Sequence, residues 1–316
     1  MKNIVSRKLV TLGSINVDDT FWLDRLPVVG ETVQAGNCTR APGGKGLNQT
    51  VAAARLGMTV GLLSAVGADE AGEDVLALLR AEGVGVDFVR VDCERKTGLA
   101  AILIDPRGEN LVVTYAGANG AVDEMWLASV ADRVFTGAQL SSLHWDLPRS
   151  VGEAFIRYAY ERGVPVVLNL APFGAIRAEA LRKVDTLIVN ESEAAALCKK
   201  PCDSVAAAKE RCIELRGQVG GGAIITLGES GAVAARGSEL RFFKACNVKA
   251  IDTTAAGDTF VAAFCAFYDR GFFEAVSRAN VAASIAVSRP GALPSLPRLS
   301  ELRSKLKDAP GRLSID

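Results

Sequence analysis

The feature that most constrains the fold is an alternation of short apolar segments with helical patterns, which begins at about residue 131. The strand-like segments cover residues 165–168, 186–189 and 223–227, and the helical patterns cover residues 151–161, 192–198 and 205–215. Neighbouring parallel strands need a crossover connection, which is usually a helix. The alternation therefore predicts right-handed β-α-β units and one large α/β domain around a mostly parallel sheet.

A different pattern earlier in the chain predicts a second, smaller sheet. Residues 20–40 contain alternating apolar positions, which are typical of exposed strands. Residues 99–104 and 111–115 are apolar and β-prone, and the Pro-Arg-Gly turn between them predicts a hairpin. We expect a small β lid made from two segments, near residues 15–40 and 97–118, within a single domain that spans residues 1–316.

Composition argues against several classes of function. The chain carries 36 Lys+Arg and 36 Asp+Glu, so no basic excess indicates nucleic-acid binding. No apolar run approaches the ~18 residues of a membrane span, and no long apolar stretch follows the charges at Lys2, Arg7 and Lys8, so neither a membrane helix nor a signal peptide is expected. The seven scattered cysteines and the single histidine complete no zinc pattern, and free thiols fit a reducing cytoplasm.

The run from Asp252 to Phe260 carries the strongest chemical signal. Small residues lie between two acids, and an apolar helix follows, so the first helical turn is predicted near Ala256, Gly257 and Asp258. A helix N-terminus has unpaired N–H donors and a partial positive charge, which together bind anions. An acid inside such a site can hold a hydroxyl beside a bound phosphate, as a phosphotransferase requires. The structural alternative is an ordinary aspartate cap on a tightly packed helix.

Two further polar runs predict a ligand with hydroxyl groups. Three glycines within residues 43–46 surround Lys45, so the backbone can approach a ligand closely while Lys45 and Asn48 bond to it. Asn16 and Asp18 follow the first predicted strand, and ligands of open α/β sheets bind beyond the carboxyl ends of strands. A glycine-rich helix cap and an Asx turn are the structural alternatives.

Taken in order, these runs closely resemble the motifs of the PfkB-type, or ribokinase-like, sugar kinase family, and the resemblance extends from Gly13 to Pro297. It implies a three-layer α/β/α domain with a mostly parallel central sheet and a small β-sheet lid. It also implies transfer of the γ-phosphoryl group of ATP to a sugar hydroxyl, with D-ribose, phosphorylated on its 5-hydroxyl, as the expected substrate. The catalytic residues implied are Asp258 as general base and Ala255, Ala256 and Gly257 as an anion hole.

The resemblance also implies the binding residues. Those for the sugar are Asn16, Asp18, Gly44, Lys45, Gly46, Asn48, Asp146 and Asp258. Those for ATP are Asn190, Thr226, Leu227, Gly228, Glu229, Ser230, Gly231, Gly257 and Asn280. The local alternatives are a capping box at residues 190–193, a turn between two strands at residues 226–231, and an ordinary solvated helix residue at Asn280.

Three residues near the expected sugar site carry separate predictions. Leu47 stands where the family has Ala, and we expect it to narrow or reshape the sugar pocket. Asp146 stands where the family has Glu, so we expect it to contact the sugar with a shorter reach. His144 is interpreted as a structural or rim residue rather than as a base.

The family resemblance implies two metal ions and a partner. The potassium ligands would come from Asp252, Thr254, Ala286, Arg289, Gly291 and Ser295, in a segment that is otherwise a proline-rich helix exit. Glu193 is expected to order water bound to Mg²⁺, because this ion usually keeps several waters. The exposed strands of the β lid predict a homodimer, since an open sheet edge tends to pair with another chain.

Two other functions stay open at this stage. One is the same chemistry on deoxyribose, a ketohexose or a nucleoside. The other is a non-catalytic sugar-binding module, against which the intact Asp258 and the small residues before it argue.

Overall fold

The computed structural model describes residues 8–307, so residues 1–7, which enter the signal-peptide argument above, lie outside it. The strands in this range are β1 Lys8–Leu12, β2 Asn16–Trp22, β3 Asn37–Gly43, β4 Thr59–Gly67, β5 Val84–Gly85, β6 Val89–Asp92, β7 Gly98–Ile104, β8 Asn110–Tyr115, β9 Leu140–His144, β10 Val166–Asn169, β11 Thr186–Asn190, β12 Gly222–Thr226, β13 Gly231–Arg236 and β14 Glu239–Lys244. The helices are α1 Lys45–Arg55, α2 Glu70–Ala81, α3 Glu124–Phe135, α4 Arg149–Glu161, α5 Ala178–Leu181, α6 Glu191–Cys198, α7 Val205–Arg216, α8 Ala256–Phe267, α9 Phe272–Ala286 and α10 Leu299–Lys307.

The large sheet is parallel over most of its width. Its strand order is β14-β13-β12-β11-β10-β9-β1-β4-β5, with β6 also paired to β4, and only the β12–β13 and β13–β14 pairs are antiparallel. Strand β1 lies between β9 and β4, so the chain leaves β1 towards one side of the sheet and later returns on the other. The carboxyl ends of five parallel strands therefore meet at one edge beside this switch point, where ligands of such sheets bind.

Two apolar layers cover the faces of this sheet. Side chains alternate between the faces along each strand: in β12, Ile224 packs with one layer while Ala223 and Ile225 pack with the other. Helices α1, α2, α8, α9 and α10 cover the first face, and helices α3 to α7 cover the second. Burial of both faces explains why the strands are nearly continuous apolar runs, and the predicted α/β architecture is confirmed.

The small sheet consists of strands β3-β2-β7-β8 and comes from two separate parts of the chain. The predicted hairpin is present as the antiparallel pair β7–β8, and β2 joins the two parts by running parallel to β7. Every residue of β8 is exposed, including Val113 at 67%. The small sheet thus presents an apolar edge strand.

Several elements are absent from the sequence prediction. Strand β9 was not predicted because the polar residues Ser141 and Ser142 interrupt its apolar pattern. Their hydroxyls are buried and bond to the Pro165 carbonyl (2.9 Å) and to Thr11 Oγ1 (2.9 Å), respectively. Helices α3 and α10 and the antiparallel pair β13–β14 were likewise not predicted. Among the helices that the structure describes, none has the length and apolar character needed to cross a membrane.

Two glycines of the β12–β14 meander give a matched stability test. Both have positive φ, +116° at Gly231 and +61° at Gly237, but only at Gly231 would a Cβ overlap another atom, the Phe243 oxygen at 1.9 Å. We expect Gly237→Ala to cost about 1–2 kcal/mol from backbone strain alone. Gly231→Ala should lower the free energy of unfolding by clearly more, because the steric overlap with the Phe243 oxygen adds to the backbone strain. Equal losses in urea unfolding of the two variants would contradict the steric argument.

Candidate active site

One edge of the large sheet gathers polar residues from five strands. They lie at the strand ends or within two residues after them, and they are Ser14 at β1, His144 at β9, Asn169 at β10, Asn190 at β11 and Thr226 at β12. A cleft of about 240 Å³ opens beside them, and its lining includes Lys45, Asn190, Glu193, Thr226, Gly257 and Asp258. The structure therefore brings predicted sugar, ATP and catalytic residues into one cleft.

Asp258 lies in the first turn of α8, and two amides from α1 hold its carboxylate. Asn48 Nδ2 donates to Oδ2 at 3.0 Å, and Gln49 Nε2 donates to Oδ1 at 3.0 Å. Gln49 also contacts Asn169 Oδ1 at 3.2 Å, which ties the arrangement to strand β10. Gln49 and Asn169 were not predicted as site residues, although Gln49 directly follows Asn48. Neutral donors fix the carboxylate in place without adding a positive charge beside it.

The start of α8 is open towards the cleft. Ala255 adopts a left-handed conformation, with φ 58°, directly before the helix, and such a conformation costs a non-glycine residue about 1–2 kcal/mol. The Ala256 N–H donates to the Thr253 carbonyl at 3.2 Å. An added Cβ at Gly257 would meet no atom within 4 Å, so the backbone is uncovered there. The helix N-terminus thus directs its partial positive charge into the cleft.

The glycine loop before α1 packs directly on the loop after β1. A Cβ on Gly46 would lie 2.6 Å from the Gly13 carbonyl carbon, and a Cβ on Gly44 would lie 2.8 Å from the Asn16 nitrogen. The Leu47 N–H donates to the Ser14 carbonyl at 3.2 Å. Only glycine permits this approach, so these residues place Lys45 and Asn16 on the same side of the cleft.

Asn119, at the end of the segment that returns from the small sheet, stabilises the loop after β1. Its side chain accepts from the Ile15 N–H (3.0 Å) and donates to the Ile15 carbonyl (2.9 Å) and to Asn16 Oδ1 (3.0 Å). These bonds use the Asn119 side chain and orient the Asn16 amide. Asn119 is therefore a support for a predicted sugar residue.

Asp18 is the acid whose environment is most unusual. It lies on β2 against Gly43, where a Cβ would be only 2.0 Å from its Oδ2. Burial raises the pKa of the Asp18 carboxyl from 3.8 to about 6, with further increases from the charges of Asp19 and Asp258 and a partial decrease from Lys45. A buried carboxyl group with such a pKa, close enough to Lys45 and Asp258 of the cleft lining to feel their charges, is a candidate functional group.

Asp146 lies beside Ser14 and His144, two residues after the carboxyl end of β9. Its Oδ1 is 2.6 Å from His144 Nε2, and its Oδ2 accepts a short hydrogen bond from the Ser14 hydroxyl. Burial opposes ionisation, but the neighbouring His144 imidazole, the hydrogen bond from Ser14 and the charge of Lys45 lower the pKa of the Asp146 carboxyl. Asp146 is therefore an ionised acid near the lysine of the glycine loop.

The predicted ATP residues lie along the carboxyl ends of β11 and β12. The capping box is present, since Asn190 accepts from the Glu193 N–H and Glu193 accepts from the Asn190 N–H, both at 2.8 Å. Burial raises the pKa of the Glu193 carboxyl, which the Asn190 N–H and Lys45 partly offset. Residues 228–230 form a 3₁₀ turn into β13, and Asn280 on α9 donates to the Lys244 carbonyl at 2.8 Å.

The two segments of the predicted potassium site are in contact. Asp252 accepts from the Thr254 and Gly291 amides, both at 2.8 Å, and these bonds lower the pKa of its carboxyl although burial acts against them. The Ala286 carbonyl accepts from the Arg289 N–H at 3.0 Å, and Ser295 is fully buried. Within residues 8–307 no cluster of three or more His, Cys, Asp or Glu side chains could hold a metal ion.

Leu47 does not have the expected place. Its side chain is fully buried in the apolar layer beneath α1, and it does not line the cleft. The prediction that Leu47 reshapes the sugar pocket was wrong, because Leu47 lies on the face of α1 that packs on the sheet. Its size affects the core instead.

Comparison with known proteins shows similarity to carbohydrate kinases over nearly the whole chain. The model of the pfkB family of carbohydrate kinases matches residues 6–299. Among curated proteins, the ribokinase of Schizosaccharomyces pombe is 35% identical over 311 residues, covering 93% of this chain and 96% of that protein. The ribokinase of Haemophilus influenzae is 33% identical over 312 residues, covering 96% and 99%. The solved structure of Arabidopsis thaliana ribokinase complexed with ribose and ATP superposes with a TM-score of 0.89, at 28% identity and 96% and 99% coverage.

Neighbouring acids on β2 provide a test of the electrostatics. The raised pKa of Asp18 means that the folded protein binds a proton more tightly than the unfolded chain, so stability falls as the pH rises from 3.8 to about 6. Asp18→Asn removes this penalty and should raise Tm at about pH 8 by more than at about pH 5.

The control is Asp19→Asn. Asp19 is ion-paired with Arg40 at 2.7 Å, which lowers the pKa of its carboxyl. Stability from Asp19 is therefore present above its ordinary pKa and is lost as the pH falls through the lowered value, so this variant should lose a little stability at about pH 8. Thermal melting that shows the same sign for both variants would refute the assignment.

Proposed function

Because this chain belongs to the pfkB family of carbohydrate kinases, we propose that it transfers the γ-phosphoryl group of ATP to the 5-hydroxyl of D-ribose. The observation that carries the proposal is the Asp258 carboxylate, held by Asn48 and Gln49 at the open N-terminus of α8. A base and an anion site thereby share one turn of helix. Relatives named ribokinase match over nearly the whole chain and support the choice of sugar.

In the proposed reaction the sugar hydroxyl attacks the γ-phosphorus. A new oxygen–phosphorus bond forms, the bond to the β–γ bridging oxygen breaks, and ADP leaves with that electron pair. Asp258 accepts the hydroxyl proton, since its oxygens have remaining lone pairs after accepting from two amides. Products are the 5-phosphate of ribose and ADP. Such transfers depend chiefly on positioning and electrostatics.

The start of α8 would stabilise the transferring group. Negative charge develops on the phosphoryl oxygens, and preorganised N–H donors at a helix N-terminus interact most strongly there. The uncovered backbone at Gly257 supports this role. The Ala256 N–H, which bonds to the Thr253 carbonyl, would have to be shared or released, while Ala255 sets the entry angle of the chain.

The two substrates would occupy opposite parts of the cleft. ATP fits along β11 and β12, where Asn190, Thr226 and residues 227–231 lie, with Asn280 on the adenine side. The sugar fits at the end formed by β1, β2 and the glycine loop. There the proposed ligands are Asn16, Asp18, Gly44, Lys45, Gly46, Asn48, Asp146 and Asp258.

Two metal ions are part of the proposal. Mg²⁺ would be held mainly by ATP phosphates and water, with Glu193 as the protein group that faces it, and it would neutralise phosphate charge. A potassium ion is proposed at the contact between residues 252–254 and 286–295, where the Asp252 carboxylate already joins both segments. A cation there would add positive potential behind the start of α8.

We also propose a homodimer formed through the small sheet. Strand β8 is exposed along its whole length, and Leu111, Val112, Val113 and Tyr115 contribute apolar surface. Pairing of two such sheets would cover this surface.

A reducing compartment such as the cytoplasm is proposed from the cysteines, all seven of which lie in the described part of the chain as free thiols.

The base is tested by Asp258→Asn. We expect turnover with D-ribose and ATP to fall by at least about 10²-fold, the lower range of general-base contributions. The measurement is ADP release under potassium and magnesium, with the exposed Asp87→Asn as a charge-matched control of unchanged rate. Near-normal turnover of Asp258→Asn would remove this residue as base.

The cation is tested by ion replacement. Rates in potassium chloride should exceed those in sodium chloride and in tetramethylammonium chloride, because a site of fixed oxygen ligands binds one size of cation better than smaller or larger cations. Asp252→Asn should lose most of the difference, since Asp252 holds the two segments together. Equal rates in all three salts would count against the site.

The dimer is tested by sedimentation of Val113→Lys. Val113 is 67% exposed on β8, so a lysine is harmless in a monomer and costly in a buried interface. We expect a dimer for the unmodified chain and a monomer for this variant. Val91→Lys, at a 49% exposed site on β6, should remain dimeric. A monomeric unmodified chain would contradict the proposal.

A further inference from the structure

His144 is the only histidine of the chain, and its side chain is fully buried at the carboxyl end of β9. A buried imidazole is costly unless its nitrogens are bonded. Here Nδ1 is buried with no hydrogen-bond partner among the described residues, so all of its polar contacts are made through Nε2. This arrangement is not explained by packing, because an apolar side chain would fill the same space without an orphaned nitrogen.

The Ser14 backbone and the Asp146 carboxylate compete for a hydrogen bond with Nε2 of His144. The Ser14 backbone N–H donates to Nε2 at 3.0 Å, and Oδ1 of Asp146 lies 2.6 Å from the same atom. An imidazole nitrogen carries either a lone pair or a proton, so it cannot accept from the amide and donate to the carboxylate at once. The Ser14 hydroxyl, which donates to Oδ2 of Asp146, closes the cluster. The orientation of Asp146 is therefore coupled to His144 and Ser14.

The backbone near Asp146 is fixed independently of this cluster. Trp145 is almost fully buried, and a Cβ on Gly152 or on Gly174 would lie 2.7 Å or 2.6 Å from its ring. The Trp145 N–H also donates to the Ala171 carbonyl at 3.1 Å. The indole thus anchors the chain, and only the side chain of Asp146 remains to be oriented.

His144 also contacts the glycine loops. A Cβ on Gly13 would lie 2.0 Å from His144 Cε1 and 2.6 Å from the Gly46 Cα, so the imidazole and the glycine loop flank the same backbone atom. Lys45, next to Gly46, is close enough for its charge to act on Asp146. The imidazole therefore joins the sheet edge, Asp146 and the proposed sugar subsite.

We propose that His144 is a positioning residue for sugar binding, which orients the Asp146 carboxylate towards the sugar through the nitrogen that it shares with Ser14. The inference rests on the proposed function, since it assigns a role within the same site. It concerns sugar affinity and not phosphoryl transfer, because His144 has no contact with Asp258 or with the ATP residues among the hydrogen bonds and ion pairs described.

The test compares His144→Ala and His144→Gln with the unmodified protein. Loss of a hydrogen bond to a charged group should raise KM for D-ribose in His144→Ala by about tenfold or more, with KM for ATP and kcat nearly unchanged. Glutamine retains a donor of similar reach and should restore part of the affinity. Calorimetric titration with D-ribose alone should give Kd values that increase from the unmodified protein to His144→Gln and then to His144→Ala.

Two controls separate positioning from general destabilisation. Ser142→Ala removes a buried hydroxyl contact to Thr11 between the same two strands, and it should lower Tm without changing KM for D-ribose. In an Asp146→Asn background, His144→Ala should add little to KM, because there is no carboxylate left to orient. Ser14→Ala removes only the hydroxyl donor and should raise KM for D-ribose by less than His144→Ala does.

The outcomes are distinct. If the unmodified protein phosphorylates D-ribose but His144→Ala leaves its KM unchanged, or if the effects of His144→Ala and Asp146→Asn are additive, the inference is wrong and the proposed function stands. If KM for ATP rises in parallel, the role is structural. If the unmodified protein neither binds nor phosphorylates D-ribose, both fail together.

Discussion

The site depends on one contact in which two backbone segments meet with no side chain between them. The loop after β1 and the glycine loop before α1 approach so closely at Gly13, Gly44 and Gly46 that a single methyl group would overlap backbone atoms. This contact sets the start and direction of α1. Asn48 and Gln49 then reach Asp258 on α8, which belongs to a segment more than half the chain away. The geometry of the proposed base is thus determined by a backbone contact that lies outside the helix carrying that base.

The arrangement of α1 also shows how one helix serves both the core and the cleft. Lys45, Asn48 and Gln49 are spaced at i, i+3 and i+4, so they lie on one face and point towards the cleft. Leu47 and Val51 are spaced by four residues and lie on the opposite, buried face. The amide donors of Asn48 and Gln49 are satisfied by Asp258, whereas Oδ1 of Asn48 and Oε1 of Gln49 are buried without a hydrogen-bond partner among the described residues.

Much of this could be predicted from the sequence, and the failures have identifiable causes. The alternating strands, the hairpin of the small sheet and the helix that starts at Ala256 follow from local periodicity, so they were predicted. Leu47 was misassigned because a motif shows which residues are near a ligand but not which helix face each occupies. Gln49 and Asn169 were missed since their roles come from contacts across the fold, between residues more than a hundred positions apart.

Short crossings and one side-chain contact connect the small sheet to the large domain beside the site. Asp69, at the start of α2, accepts from the Thr97 N–H (3.0 Å) and hydroxyl (2.6 Å) directly before β7. The crossings between the two sheets are short, and they carry Asn16, Gly44 and Asn119, residues that contact or support the proposed sugar subsite. Any displacement of the small sheet at these crossings would therefore also displace residues of the proposed sugar subsite.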